Sequence, residues 1–83
     1  MEYFDHDLRK EIPLGIYRHF KGNQYRVINY AMHSETGEKL VIYEAMYGGH
    51  AIYARPVDSW KNPAIVDGVE VPRFKLIVET DNF

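Results

Sequence analysis

The chain has 83 residues, enough for a single domain spanning 1–83 and too few for two, and its 46% hydrophobic and 27% charged content is that of a globular protein rather than a disordered or membrane one. Without cysteine it holds no disulfide framework, thiolate nucleophile, Cys-ligated zinc or iron–sulfur cluster. The net charge of -2 argues against a general polyanion binder, yet residues 15–34 carry Arg18, His19, Lys21, Arg26 and His33 with no acid, so a local basic surface survives the acidic total.

The N-terminal residues lack the basic start and apolar run of a signal peptide, and no stretch is long enough to span a bilayer, so a cytoplasmic location is expected. No repeat, low-complexity tract or proline-rich linker divides the chain. Residues 5–12 suit a short helical turn, stopped by Pro13 and Gly15 and expected as an appendage to the rest.

From Gly15 the pattern turns to β structure. A strand from Ile16 to Phe20 leads through a Lys21-Gly22-Asn23 turn into a second from Gln24 to His33, rich in aromatic and β-branched residues. Ser34-Glu35-Thr36-Gly37-Glu38 fits a three-residue hairpin loop with Gly37 in the left-handed conformation, which glycine adopts without a Cβ clash. With Ser34 opposite Glu38, the expected pairs are His33 with Lys39, Ala31 with Val41, Asn29 with Tyr43, Val27 with Ala45 and Tyr25 with Tyr47. The Val27, Ala31, Val41, Ala45 face is the expected core, and Asn29 fits poorly there. The opposite face, with Tyr30, Met32, Leu40 and Ile42, is a candidate surface for self-association.

After the Gly48-Gly49 turn come a strand from Ala51 to Arg55 and a helical turn opened by Pro56, whose Trp60 is expected to plug one end of a barrel. Asp67-Gly68 between Ile65-Val66 and Val69-Glu70-Val71 marks a two-residue hairpin, and Pro72 to Val78 forms a last strand. The sum is an all-β (mainly β) chain, a five- to six-stranded small barrel with a helical turn near residues 56–60.

Gly15-Ile16-Tyr17-Arg18-His19-Phe20-Lys21-Gly22, Tyr25-Arg26-Val27, Ala31, His33-Ser34-Glu35-Thr36-Gly37-Glu38, Tyr43, Tyr47-Gly48, Arg55-Pro56 and Pro72-Arg73-Phe74 follow one another in an order that resembles the bacterial family catalogued as domain of unknown function 1653. The resemblance covers roughly residues 14–78 and implies an SH3-like barrel without implying a reaction. This chain departs from it at Ile52-Tyr53-Ala54, where relatives commonly carry a tryptophan, so Tyr53 is the substitute if an aromatic there meets a ligand.

Strand alternation sends Tyr17 and His19 to one face and Arg18 to the other. Arg18 or His19 then either donates to an anionic or carbonyl group of a ligand, or sits on a solvated edge or in a structural ion pair. His33 and Glu35 share the hairpin tip, but the His-x-Glu pattern of zinc deaminases needs a downstream cysteine pair that this chain lacks. No histidine–carboxylate spacing is that of a metal site, and there is no nucleophile elbow or phosphate loop. No metal, cofactor or catalytic residue is therefore assigned.

Seven tyrosines against four phenylalanines suit half-wet surfaces. Tyr17, Tyr47 and Tyr53 beside Arg18, Arg55 and Arg73 are expected either to line a groove able to stack a base, hold a methylated cation or dock an extended peptide, or to serve ordinary amphipathic packing. The first expectation is a recognition module for a peptide or single-stranded nucleic acid, with candidate residues Tyr17, Arg18, His19, His33, Glu35, Tyr47, Arg55 and Arg73. An enzyme or small-molecule site on His19, His33 and Glu35, and a self-associating module forming a homo-oligomer, are the alternatives.

Overall fold

The structure is a computed structural model, described over residues 6–80, with side chains from Leu8 onward. The chain folds into a short helix α1 (His6–Glu11), strands β1 (Gly15–His19), β2 (Gln24–Met32), β3 (Lys39–Ala45) and β4 (Ile52–Pro56), a helical turn α2 (Val57–Lys61), and strands β5 (Ala64–Val66), β6 (Val69–Val71) and β7 (Phe74–Glu79). It is mainly β, as the composition and turn chemistry led one to expect. Among the described residues no helix is long and apolar enough to cross a membrane.

α1 is more than an appendage. Leu8 and Ile12, one helical turn apart, join Leu14 in the buried cluster with Tyr17, Val27, Val41, Tyr43, Trp60 and Phe74. The Tyr30 hydroxyl also donates to the Ile12 carbonyl. The low apolar content of the segment hid this, because two aliphatic residues four apart suffice to seat so short a helix.

Five strands form one antiparallel sheet in the order β4-β3-β2-β1-β7, a meander whose last strand returns to the first, while β5 and β6 pair separately. Gly37 takes φ 75° as expected, but His33 rather than Ser34 faces Glu38, its N–H donating to the Glu38 carbonyl at 2.8 Å, so the loop is one residue longer than expected. Asp67 and Gly68 take 52° and 79°, as a two-residue hairpin with both central residues left-handed requires.

The β2–β3 register differs from expectation. Met32 pairs with Lys39, Ala31 with Leu40, Tyr30 with Val41 and Asn29 with Ile42, and after a bulge at Ile28 the pairs become Val27 with Tyr43, Arg26 with Glu44 and Tyr25 with Ala45. One extra residue exchanges the faces of a period-2 strand. Val27 on one side of the bulge and Tyr30 on the other therefore both pack toward the core, whereas Asn29, expected inside, is exposed. Tyr30 thereby leaves the apolar face proposed for self-association.

β4 and β7 end the main sheet, and no ladder joins them. α2 packs on β3 and β4, and its Trp60 stacks on Phe74 of β7 at 3.7 Å between ring centroids and 3° between planes. Tyr17 and Tyr43 meet the Trp60 ring edge-on at 5.3 and 5.1 Å. Aromatic side chains, rather than ladder hydrogen bonds, thus span the gap between β4 and β7; Trp60, expected to plug one end, is instead part of the core packed on Phe74, Tyr17 and Tyr43.

Candidate functional site

Alternation along β1 places its residues as expected but assigns them different roles. Tyr17 points inward and is 4% exposed, its hydroxyl donating to the Pro13 carbonyl at 2.7 Å. Burial, reinforced by nearby Tyr30 and Glu79, raises its phenol well above the ordinary range. It therefore belongs to the core and not to the groove expected for it. Arg18 is exposed on the other face, opposite Gln24 and Lys75.

His19 shares the face of Tyr17 but lies at the sheet's end, beyond the core. Its ring stands 4.9 Å from Phe74 and 4.6 Å from Phe20. Nδ1 accepts the Lys21 backbone N–H at 3.2 Å, so the neutral ring carries its proton on Nε2. Burial, and then the positive charges of Arg55, Arg73 and Lys21, hold its pKa below the usual histidine value.

The same two-residue spacing puts Tyr53 and Arg55 of β4 on the inner face, where they pair with Tyr43 and Val41. The Arg55 guanidinium lies 5.3 Å from the Phe74 ring and donates to the Tyr43 hydroxyl at 3.2 Å and to Ser59 Oγ at 3.3 Å. It spans the seam between β4 and β7. Arg73 precedes β7, donates to the Asn62 carbonyl at 2.9 Å and covers the Phe20 ring at 5.6 Å. Among the described residues neither guanidinium is paired with a carboxylate; Arg26 pairs with Glu44 and Lys61 with Glu11, and His50 Nδ1 lies 3.4 Å from Glu44.

Tyrosines rim these cations. Tyr25 meets Tyr43, Tyr47 and Phe74 edge-on at 5.4, 5.6 and 5.9 Å. The Tyr25 and Tyr47 hydroxyls are 2.7 Å apart, and that bond, helped by burial, pushes the Tyr25 pKa up to about 12. Tyr53 tilts against Tyr43 at 5.5 Å, and Tyr47 and Tyr53 remain 43% and 45% exposed. The outcome is a half-wet aromatic rim around a set of N–H donors with surplus positive charge.

His33 and Glu35 lie elsewhere. They sit past the far end of β2 from Tyr25, roughly 25 Å away at the usual strand rise. His33 Nδ1 accepts the Glu35 and Thr36 backbone N–H groups at 3.1 and 3.4 Å, which closes the hairpin tip. Among the described residues no three His, Asp or Glu side chains are grouped to hold a metal. His19, His33 and Glu35 therefore do not compose one site.

The structure brings His19, Tyr47, Arg55 and Arg73 to one end of the sheet and leaves Tyr17, Arg18, His33 and Glu35 out. Phe20, Tyr25 and Phe74, missed as parts of the surface, complete it. Phe20 was legible as the residue after His19. Tyr25 was expected opposite Tyr47 and does meet it, though through the hydroxyls, its strand partner being Ala45.

The chain matches the family model described as a protein of unknown function (DUF1653) over residues 15–76. It is also similar to a crystal structure of a DUF1653 protein from Bordetella bronchiseptica, with a TM-score of 0.76 and 25% identity over 89% of this chain and 97% of that one. No curated protein matches it. The family model spans most of the sequence, from Gly15 at the start of β1 to Leu76 in β7 and across His19, Tyr47, Arg55 and Arg73, and the chain belongs to the DUF1653 family.

Proposed function

We propose that this protein is a small recognition module that binds a peptide or a single-stranded nucleic acid through its tyrosine–arginine surface. The observation that carries the reading is the chain of ring contacts, through Tyr25, Tyr43, His19, Phe20 and Phe74, that links half-exposed Tyr47 and Tyr53 to Arg55 and Arg73, neither of which has a carboxylate partner among the described residues. Flat rings give stacking area at little entropic loss, and guanidinium groups donate in the plane that carboxylates and phosphates accept. Such a surface binds an extended ligand without enclosing it.

The test is a two-dimensional NMR titration of the full chain with short single-stranded oligonucleotides and with peptides. Saturable shifts clustered on Tyr47, Tyr53, Arg55 and Arg73, weakened at least tenfold in a Tyr47→Ala/Tyr53→Ala variant, are expected. Saturable shifts confined to another surface, or none with either ligand class, would remove the proposal.

A further inference from the structure

Resting on that reading, we infer that His19, Arg55 and Arg73 form a phosphate subsite, and that the ligand of the tyrosine rim is a single-stranded nucleic acid rather than a peptide. The three groups converge through two shared rings. His19 and Arg55 both pack on Phe74, at 4.9 and 5.3 Å, while His19 and Arg73 both pack on Phe20, at 4.6 and 5.6 Å. His19 thereby stands between two rings, each of which carries one of the guanidinium groups.

All three present donors. Arg55 and Arg73 use Nε, and in Arg55 one further N–H, on protein oxygens, so each retains N–H groups for a ligand. The Lys21 backbone N–H occupies His19 Nδ1, which leaves Nε2–H as a further donor in the neutral ring. Three donor groups with no carboxylate partner among the described residues suit an oxygen-rich anion better than a carbonyl, which offers a single oxygen. Burial lowers the proton affinity of His19, and the neighbouring positive charges of Arg55, Arg73 and Lys21 lower it further.

The rim decides between macromolecules. An acidic peptide provides anions on aliphatic stems, with nothing flat for Tyr47 and Tyr53, whereas a nucleic acid strand alternates an anion with a planar base. Tyr47 and Tyr53 are exposed enough to offer ring faces, and Tyr25, bonded through its hydroxyl to Tyr47, fixes one of them in place. The chain's net charge of -2 restricts this to a local contact with one or two phosphates rather than a long electrostatic track.

The experiment measures binding of a short oligothymidylate to the full chain by fluorescence anisotropy over a range of salt, beside the same strand with an uncharged methylphosphonate backbone, a phosphotyrosine peptide, an acidic peptide and inorganic phosphate. The inference expects the charged strand to bind and the uncharged one to bind at least tenfold more weakly. Two single-strand phosphate contacts correspond to a log–log salt slope of about −1.4, and Arg73→Gln should lower its magnitude by about 0.7. Arg73→Lys should restore most of the slope, which separates lost charge from misfolding. Equal binding of charged and uncharged strands would overturn the subsite and leave the recognition surface standing. Binding of a peptide, phosphorylated or acidic, but not of the oligothymidylate would overturn the nucleic-acid assignment and leave the recognition surface standing, and absence of binding by every probe would overturn both.

Discussion

At the scale of single residues, His19 shows how position converts a common side chain into a specific donor. Its Nδ1 is committed to the Lys21 N–H, and burial together with Arg55, Arg73 and Lys21 disfavours a second proton. Folded His19 therefore binds protons less tightly than in the unfolded chain, where the ordinary value near 6.5 applies. Its contribution to stability is present above that value, falls as pH drops through the window below it, and reaches a plateau once both states are protonated. His19→Gln should accordingly show a smaller loss of Tm between pH 8 and pH 5 than the parent protein, read as the difference of the two slopes. Identical slopes would show that neither burial nor the neighbouring charges lower the ring's proton affinity in the folded state. Gly15 is the complementary case, a residue whose value is a missing side chain. A Cβ there would stand 2.4 Å from the Val78 carbonyl and 3.0 Å from the Glu79 Cα, both backbone atoms that cannot swing aside. Gly15→Ala should destabilise the protein by about 1–3 kcal/mol in urea unfolding, through strain in the β1–β7 ladder.

At the scale of elements, the bulge at Ile28 settles which hairpin residues face the core. Uniform alternation from the tip would put Ala31, Asn29 and Val27 on one face, and the added residue instead sends Tyr30 and Val27 inward and Asn29 out. The awkward polar residue of the sequence pattern is thus the mark of the bulge. Tyr30 then reaches the Ile12 carbonyl, tying β2 to the segment that follows α1. Tyr30→Phe keeps the ring and removes that bond, so a loss of about 1 kcal/mol is expected in urea unfolding. α1 depends on the same attachment. Leu8 is 2% exposed, and Leu8→Ala should lower stability by about 2–5 kcal/mol, as for a core leucine; a neutral result would return α1 to the status of an appendage.

At the scale of the whole molecule, the open seam between β4 and β7 organises both stability and the candidate site. Trp60 and Phe74 stack across it, and Arg55 lies on the Phe74 ring from the β4 side. Trp60→Ala should therefore cost about 3–5 kcal/mol. It should also disturb the NMR signals of Arg55 and Tyr43, because the Tyr43 ring packs on Trp60 and its hydroxyl accepts from Arg55. A variant with lost stability but an unchanged Arg55 environment would separate core from surface. The two are coupled here because a small barrel has no second layer of residues to insulate its binding surface from its core.

What the sequence alone determined is local: the turns at Gly37 and Asp67-Gly68, the break at Pro56, the mainly β pattern, and the separation of Tyr17 and His19 from Arg18. Each follows from backbone sterics or from the two-residue period of a strand, which act over a few residues. The family likeness was legible for the same reason, as an ordered string of such signals. Only the tertiary structure decided that Tyr17 is core, that the hairpin tip of His33 and Glu35 lies far from His19, and that His19, Arg55 and Arg73 pack on Phe74 and Phe20. Those outcomes turn on a single inserted residue in β2 and on the return of β7 to β1, and pairing between strands far apart in sequence is set by packing free energy that no local pattern records.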